Sequence, residues 1–589
     1  MLRLAAGVPR RLIGRGSLPA FANSSALPAG VDSLLASSQH VSAVDEPHRA
    51  HQASPEDSAE SRPSLTVPAE GVGQPSADGQ IQPTPAMHEN SQDRDYLLMH
   101  PVYTQDYLVT VKPTHKPRET MRDRVGFAAV QVLRWCFDRA SGYGPNMSER
   151  QWLRRILFLE TVAGVPGMVA GMLRHMRSLR SMERDRGWIH TLLEEAENER
   201  MHLLTFLQLR HPGIMFRSMV LLGQGGFFNA YMLAYIVWPR ACHSFIGYLE
   251  EEAVRTYTHA LSDIDSGKSA ISHWATTPAP DIAVKYWRLE PGSTLRDVVL
   301  NVRADEEPQP ASNEEGRAVF APIREAPKPV VGGEVQPTPS TQQDFVNNDY
   351  MLMHPVYTQE YLASVKPTHK PRETVRDKVG YAAIQALRWG FDRACGYGPN
   401  MSERQWLRRM LFLETVAGVP GMVAGMLRHM RSLRSMRRDH GWIHTLLEEA
   451  ENERMHLLTF LKLREPGPLF RSTVLLGQGV FFNAYTLAYI LWPRCCHAFI
   501  GYLEEEAVRT YTHAVEEIDS GTSSISHWAT TPAPDIAVSY WRLEPGATLR
   551  DVVLNVRADE AAHSFVNHTF AALGKDAENP FSKGSLHVP

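Results

Sequence analysis

The sequence predicts an all-α fold that is built twice in tandem. The segment LFLETVAGVPGMVAGMLRHMRSLR begins at Leu157 and begins again at Leu411, 254 residues later. The match continues without a gap through RADE at Arg303–Glu306 and at Arg557–Glu560. A repeat of this length indicates two whole domains and not a solenoid. Within each copy the apolar residues recur with helical spacing, and there is almost no strand alternation.

The two copies differ at their last element. After RADE the second copy continues as AAHSFVNHTFAAL, which predicts a helix, whereas the first continues as EPQPASNEEG. Pro308 and Pro310 stop any helix just after Glu306, because proline has no backbone N–H and clashes with the preceding turn. We therefore expect a first copy at 91–306 that lacks its final helix. It is followed by a linker at 307–345, a complete second copy at 346–575 and a tail at 576–589.

The N-terminus has the composition of a targeting segment. Residues 1–31 contain four arginines and no acidic residue, and serines and small residues fill much of the remainder. This composition is typical of a mitochondrial transit peptide, and the alternative is an untargeted disordered tail. Residues 32–90 are rich in Ser, Pro, Ala and Gly and predict a disordered spacer in either case.

The overall composition argues against some classes of protein. The chain has 589 residues, of which 43% are hydrophobic, so at least two domains with sizeable cores are expected. A net charge of −4 without a basic stripe argues against nucleic-acid binding. The five cysteines form no CxxC pair and no even-numbered framework, so a reducing compartment is expected.

The first two helices of the second copy are predicted from capping and periodicity. One begins near Ser402, where Gln405 is placed for a capping box, and it runs toward Arg434. Pro420 is expected to bend this helix, because proline cannot donate the usual backbone hydrogen bond. The second helix spans about 444–463.

Two more helices follow an uncharged stretch. The third begins after Pro493 and runs through Tyr511. The last begins near Thr548, where Asp551 favours the positive end of the helix dipole. The prediction is therefore an all-helical bundle in each copy.

Acidic and histidine side chains recur on all four of these helices. Two helices carry a Glu-x-x-His pair, which places a carboxylate and an imidazole on one helix face. Each of the other two helices offers a single candidate glutamate. This combination is the ligand set of ferritin-like di-iron bundles, and it suits iron or manganese better than zinc. The six candidate ligands are Glu414, Glu453, His456, Glu504, Glu560 and His563.

The alternative is that these side chains lie on solvated helix faces, since a lone Glu-x-x-His pair is common. Their apolar surroundings argue against it. Glu560 and His563 continue an apolar stripe that begins at Leu549, and Glu414 lies within the apolar run 410–419. Unpaired carboxylates on core faces would be costly.

The motifs LET, NERMH, LEEEA and RADEA-x-H, in that order, resemble those of the mitochondrial alternative oxidase family. The resemblance covers about 346–575 and nearly all of 92–306. It implies a ferritin-like di-iron four-helix bundle with additional membrane-associated helices. It also implies that the six candidate ligands hold two iron ions in the second copy.

The resemblance implies roles for further residues. Tyr511 lies seven positions after Glu504 and matches the family's catalytic tyrosine, although a buried structural aromatic is the alternative. For Arg388 and Asp392, which match the quinol pocket, the alternative is a surface ion pair at i,i+4. The residues implied to orient ligands or carry protons and electrons are Asn452, His497, Trp541 and Asp559. Those that match the quinol pocket are Arg388, Asp392, Arg409, Leu413, Ala507 and Thr510.

An uncharged stretch in each copy predicts membrane contact. Ser218–Pro239 and Ser472–Pro493 are each 22 residues long, which is enough to cross a membrane. A crossing would place helices that share one metal site on opposite sides of the membrane. We therefore expect a monotopic protein in one leaflet, with the basic amphipathic segment Asp377–Arg393 as a second contact. A buried core helix is the alternative.

The function implied by the resemblance is a cyanide-insensitive, non-proton-pumping ubiquinol oxidase that reduces O2 to water. Such a protein lies on the matrix side of the inner mitochondrial membrane, as a homodimer or here as an intrachain pseudo-dimer. A plastid-type plastoquinol terminal oxidase has the same ligands and is the alternative. Di-iron quinone hydroxylases are disfavoured by LFLET and by the spacing of Glu504 and Tyr511.

The first copy lacks one of the six ligands, because Gln309 occupies the position that corresponds to His563. We expect the missing helix to leave the remaining groups exposed and without metal. The first copy would then be a non-catalytic packing domain, or the chain would join the products of two adjacent genes. The retained groups are Glu160, Glu199, His202, Glu250 and Glu306, together with Tyr257.

Overall fold

The computed structural model describes His100, residues 102–307 and residues 354–581, and its regular structure is helical. Within these ranges there is no β-strand, and the only β-bridges are two isolated ones, Pro278–Thr294 and Pro532–Thr548. The predicted all-α fold is therefore confirmed. The predicted transit peptide, the spacer, nearly all of the linker and the end of the tail lie outside the described residues.

In the first copy, the described residues form eight α-helices and a short 3-10 helix at Ser272–Ala275. The last α-helix contains 11 residues. The helices are α1 (Gln105–Thr110), α2 (Met121–Ser141), α3 (Glu149–Ser181), α4 (Trp188–Leu207), α5 (Ile214–Val237), α6 (Pro239–Asp265), α7 (Asp281–Tyr286) and α8 (Leu295–Asp305).

The described part of the second copy repeats this order, with a 3-10 helix at Ser526–Ala529. Its last helix contains 24 residues and extends far beyond the end of its counterpart. The helices are α9 (Gln359–Ser364), α10 (Val375–Cys395), α11 (Glu403–Ser435), α12 (Trp442–Leu461), α13 (Pro468–Leu491), α14 (Pro493–Asp519), α15 (Asp535–Trp541) and α16 (Leu549–Ala572).

The predicted helix starts are found where the capping residues placed them. The backbone N–H of Ser402 donates to Oε1 of Gln405 at 3.0 Å, which completes the capping box of α11. The N–H of Thr548 likewise donates to Oδ2 of Asp551 at 2.7 Å at the start of α16. Pro420 lies inside α11, and the helix continues across it.

Four helices of the second copy form the bundle that carries the candidate ligands. α11 packs along α12, and α14 packs along α16. α11 and α12 approach closely at Gly421, where an added Cβ would lie 2.5 Å from the carbonyl oxygen of Leu446. A larger residue there would separate two helices that both carry candidate ligands. In the first copy, α3, α4, α6 and α8 take the corresponding places.

The two copies pack against each other through α3 and α11. His175 Nε2 lies 2.9 Å from the carbonyl oxygen of Gly418, and His429 Nε2 lies 2.9 Å from that of Gly164. Burial, together with a nearby arginine of the other copy, lowers the pKa of both histidines to about 3. Both are therefore neutral, and each donates its N–H across the interface. The contacts are repeated with the roles of the copies exchanged.

The uncharged stretches form α5 and α13, which expose most of their apolar surface. In each of these helices only 22% of the most apolar 18-residue stretch is buried, whereas 72% of the corresponding stretch is buried in α3 and in α11. All four helices are long and apolar enough to cross a membrane by length and composition. Leu476 and Val480 are exposed on α13, while Gln478 is buried and donates to the carbonyl of Thr415. α13 is therefore not a buried core helix.

Candidate metal centre

In the second copy, four of the six predicted ligands meet at one point. Glu414 comes from α11, Glu453 and His456 come from α12, and Glu560 comes from α16. One potential ligand atom from each side chain lies within 4.8 Å of all the others, and all four residues are buried. Nδ1 of His456 is 3.4 to 3.6 Å from an oxygen of each glutamate. Three carboxylates and one imidazole thus surround a space of the size that a metal ion needs.

The predicted partner Asp559 fixes the orientation of His456. Oδ2 of Asp559 lies 2.9 Å from Nε2 of His456 and accepts from Trp541 Nε1 at 2.9 Å and from Asn452 Nδ2 at 3.0 Å. Burial alone would raise the pKa of Asp559, but His354 and His456 hold it well below its usual range. The carboxylate is therefore ionised, and it accepts a hydrogen bond from Nε2–H of His456. This arrangement leaves Nδ1 of His456 facing the three glutamates.

The other two predicted ligands lie on the far side of Glu453 and Glu560. Nδ1 of His563 is 2.9 Å from Oε1 of Glu453 and 3.9 Å from Oε2 of Glu560. Glu504 is buried, and burial together with the charges of Glu560 and Glu453 raises its pKa well above 4.5. His563 and Glu504 therefore lie beside the four-group cluster, next to Glu453 and Glu560. A pair of metal ions fits this arrangement.

The two glutamates that follow Glu504 point elsewhere. Glu505 accepts from the backbone N–H of Lys370 at 2.9 Å and contacts His568 Nε2 at 2.8 Å. Glu506 accepts from Gln385 Nε2 at 2.8 Å. The run LEEEA thus directs a single carboxylate toward the cluster.

Tyr511 touches the cluster directly. Its hydroxyl donates to Oε1 of Glu414, and its ring is buried and stacked on Phe460. Burial and the neighbouring Glu414 raise the pKa of Tyr511 well above 10. The phenol is therefore protonated, and its hydrogen lies against a candidate ligand.

His497 does not join the group around Asp559. Its Nδ1 is 3.0 Å from Oδ1 of Asn567, and Asn567 Nδ2 donates to Glu449 at 2.9 Å. Burial raises the pKa of Glu449 to about 7. Glu449 lies one helical turn before Glu453. The run LEEAEN contains three other glutamate or asparagine side chains, and nothing in the sequence distinguishes Glu449 from them. The sequence analysis therefore missed both Glu449 and Asn567.

The predicted quinol residues Arg388, Asp392 and Arg409 form a network between three helices. Arg409 Nη1 lies 2.6 Å from Oδ1 of Asp392, and Arg388 Nε lies 3.2 Å from Oδ2 of Asp392. Arg388 also pairs with Glu506 on α14. This arrangement is more than a surface pair within one helix.

The remaining predicted quinol residues lie on α11 and α14. Leu413 and Ala507 are half-buried, and the hydroxyl of Thr510 donates to the carbonyl of Glu506 at 2.9 Å. The guanidinium of Arg409 lies 3.9 Å from the ring centre of Tyr397, a residue that the sequence analysis missed.

The first copy keeps the same four-group cluster. Nδ1 of His202 lies 3.4 to 3.6 Å from an oxygen of Glu160, Glu199 and Glu306, and Tyr257 donates to Glu160. All four members of the cluster are buried. The expectation that these groups are exposed is therefore wrong for the four members of the cluster.

Among the described residues, the neighbouring region of the first copy is more exposed than its counterpart in the second copy. Glu250 is half-buried, whereas its counterpart Glu504 is buried. Trp188 is 53% exposed, whereas its counterpart Trp442 is 2% exposed. Gln309 lies outside the described residues.

The family profile that matches this chain and the similar proteins described below carry the same family description. The family profile described as "Alternative oxidase" matches twice, at residues 103–315 and 357–572. The "Alternative oxidase, mitochondrial" of Emericella nidulans is 52% identical over 242 residues, which cover 39% of this chain and 68% of the relative. Its namesake from Aspergillus niger is 52% identical over 243 residues, covering 39% and 69%. That of Cryptococcus neoformans is 43% identical over 298 residues, covering 44% and 74%.

Proposed function

The chain belongs to the alternative oxidase family, and from that premise we propose that its second copy is a ubiquinol oxidase with a non-haem di-iron centre. The reaction oxidises two ubiquinol molecules to ubiquinone and reduces one O2 to two H2O. The alternative is a plastid-type oxidase that takes plastoquinol. The mitochondrial names of the relatives favour the ubiquinol reading.

One observation carries the proposal: buried ligand atoms in the second copy have no hydrogen-bond partner among the described residues. They are Oε2 of Glu414, Glu453 and Glu560, and Nδ1 of His456. Buried carboxylates without partners are costly, and two divalent cations would offset four negative charges. Glu414, Glu504 and the two Glu-x-x-His pairs would hold the ions. When bound, the two irons supply the redox chemistry between quinol and oxygen.

Tyr511 is proposed to act at the reacting centre. Its high pKa keeps the phenol protonated, and its hydroxyl lies on Glu414. The proton on Oη of Tyr511 therefore lies beside a candidate ligand carboxylate. The network of Asp559, Trp541 and Asn452 holds His456 in one tautomer throughout.

The quinol is proposed to approach between α10, α11 and α14. Arg388 and Arg409 provide positive charge beside Asp392, and an arginine there polarises the quinol oxygen. The half-buried Leu413 and Ala507 provide apolar contact for the ring, with Thr510 beside them.

The protein is proposed to lie in one leaflet of the inner mitochondrial membrane, on the matrix side. α13 exposes Leu469, Val480 and Leu491, and α10 exposes Leu387 and Trp389. An exposed apolar helix beside a compact bundle suits a monotopic protein. A site on one side of the membrane has no path for proton pumping. The N-terminal 1–31 would be removed as a transit peptide, followed by a spacer at 32–90.

The test is oxygen uptake by the purified chain in detergent with a short-chain ubiquinol. Uptake should persist in millimolar-range cyanide that stops a haem oxidase, since a carboxylate-bound iron pair offers cyanide no haem iron. Loss of uptake at low cyanide contradicts the proposal. Hydroxylated quinone among the products would indicate a quinone hydroxylase, and a strong preference for plastoquinol would indicate the plastid type.

A further inference from the structure

The first copy contains a complete ligand set for one metal position. Glu160 lies on α3, Glu199 and His202 lie on α4, and Glu306 directly follows α8; their ligand atoms lie within 4.8 Å of one another. Their exposed fractions are 2%, 8%, 0% and 5%. The sequence predicts that these side chains are exposed to solvent, whereas all four are buried. The site therefore does not depend on the helix that the first copy lacks.

Three atoms of this set are buried and have no hydrogen-bond partner among the described residues. They are Oε2 of Glu160, Oε2 of Glu199 and Nδ1 of His202. All three face the same point, since Nδ1 of His202 lies 3.4 Å from the first oxygen and 3.5 Å from the second. Buried polar atoms normally have partners, so atoms that converge without one indicate a bound cation.

The supporting contacts of His202 are also intact. Nε2 of His202 lies 2.9 Å from Oδ2 of Asp305, which also accepts from Trp287 Nε1 at 2.9 Å and from Asn198 Nδ2 at 3.1 Å. Nδ1 of His202 is thus held toward the three glutamates. Such a contact from behind orients a metal-bound histidine and strengthens binding.

The second metal position of the first copy is not complete. In the second copy this position faces His563 and the buried Glu504. In the first copy Gln309 occupies the sequence position of His563, and Glu250 is half-buried. This position therefore lacks the imidazole that His563 provides in the second copy, which leaves it one ligand short of a complete set for a second ion.

We infer that the first copy binds one divalent cation, Fe(II) or Mn(II), in a mononuclear site formed by Glu160, Glu199, His202 and Glu306. Three carboxylates and one imidazole suit these ions, whereas Zn(II) prefers fewer and softer ligands. A whole chain therefore holds three metal ions when the second copy holds two. The site is mononuclear because the first copy has Gln309 at the sequence position of His563.

The test measures metal content on the whole chain, loaded anaerobically with Mn(II) or Fe(II) and freed of excess ion. The wild-type chain should hold three ions, and His202→Gln should hold two. His563→Gln gives the second copy the same residue that the first copy has, so it should also hold two. With Mn(II), the paramagnetic resonance signal of an isolated ion should be present in the wild type, absent in His202→Gln and stronger in His563→Gln.

Circular dichroism of each variant checks that the fold is kept, and Glu160→Gln provides a second variant of the same site. A wild-type chain that holds two ions, unchanged by His202→Gln, overturns the inference. Four ions overturn it as well, because the second position is then filled. A single ion that His202→Gln removes supports the inference and contradicts the di-iron proposal for the second copy. A single ion that only His456→Gln removes, or no ion at all, contradicts the inference.

Discussion

The last helix begins in the same way in both copies and ends in different places. Capping boxes at Thr294 and Thr548 start α8 and α16, but α8 ends at Asp305 whereas α16 continues to Ala572. The four-group cluster needs no residue beyond the last glutamate, so both copies have it. The second metal position needs His563, which lies on the continued helix. On the two metal proposals above, the continuation of this helix separates a one-ion site from a two-ion site.

The same helix closes the second copy against solvent. Phe570 stacks on Trp442 with 4.0 Å between the ring centres, and Nε1 of Trp442 donates to the carbonyl of Ala577 at 2.8 Å. In the first copy the described residues contain no such cover over Trp188, which is 53% exposed. The comparison predicts that equivalent substitutions in the two copies have unequal effects.

Removal of a ligand should show the largest difference. Glu453→Ala, Glu504→Ala or Glu560→Ala should lower quinol oxidation by more than roughly 100-fold, because loss of a direct ligand exceeds the effect of losing a contact behind one. Iron content and oxygen uptake, measured on the same sample, check this. The matched pair is His456→Ala and His202→Ala, of which only the first should cripple oxidation. Equal losses from both would mean that the first copy contributes to the working site.

Removal of the covered tryptophan should destabilise the second copy. Trp442→Ala should lower the free energy of unfolding by about 3–5 kcal/mol, as expected for a large buried aromatic. Trp188→Ala should cost about 1 kcal/mol or less, because half of its surface is already exposed. Chemical denaturation followed by circular dichroism measures both. Similar costs would show that the first copy has a cover of its own.

Tyr511→Phe should keep the iron and lower turnover by roughly 100-fold, the scale of a positioned proton donor. The ring still stacks on Phe460, but the hydroxyl on Glu414 is absent. Tyr257→Phe is the matched control in the first copy and should change turnover little. Normal turnover in Tyr511→Phe, with the iron retained, would show that this residue is only a structural aromatic.

Acid should weaken the interface equally from both sides. The pKa values of His175 and His429 fall from 6.5 to about 3 on folding, so the folded chain binds fewer protons than the unfolded chain. The free energy of unfolding should therefore decrease as the pH falls from 6.5 toward 3. At pH 5 each histidine should contribute a decrease of no more than about 2 kcal/mol. His175→Gln and His429→Gln should each flatten this decrease by the same amount in thermal melts. A difference between the two variants would show that His175 and His429 do not contribute equally to the stability of the interface.

Much of the fold could be predicted because its signals are local. Capping residues at Ser402 and Thr548 set the helix starts, and both starts are confirmed. The second predicted helix, at 444–463, begins earlier, at Trp442, because Gly441 has a φ of 86° and marks the true boundary. The third extends beyond its predicted end at Tyr511 to Asp519.

The unpredicted features depend on contacts between distant parts of the chain. The link from His497 through Asn567 to Glu449 joins three helices, and no spacing rule selects Glu449 from its glutamate-rich run. The burial of the first cluster was also missed, because the sequence indicates that a helix ends but not how well its neighbours cover the gap. The assignment of the six ligands stays a prediction until metal is measured.

The packing of α3 on α11 places two related partners on one polypeptide. In an assembly of identical subunits every mutation is present twice, so neither subunit can change alone. Here Gly164 and Gly418 occupy equivalent places in the contact but are encoded separately. Covalent linkage also makes the association intramolecular, so dilution does not separate the partners. Mutations can therefore accumulate in one half while the other half keeps the working site, a route to divergence that is closed to a homodimer.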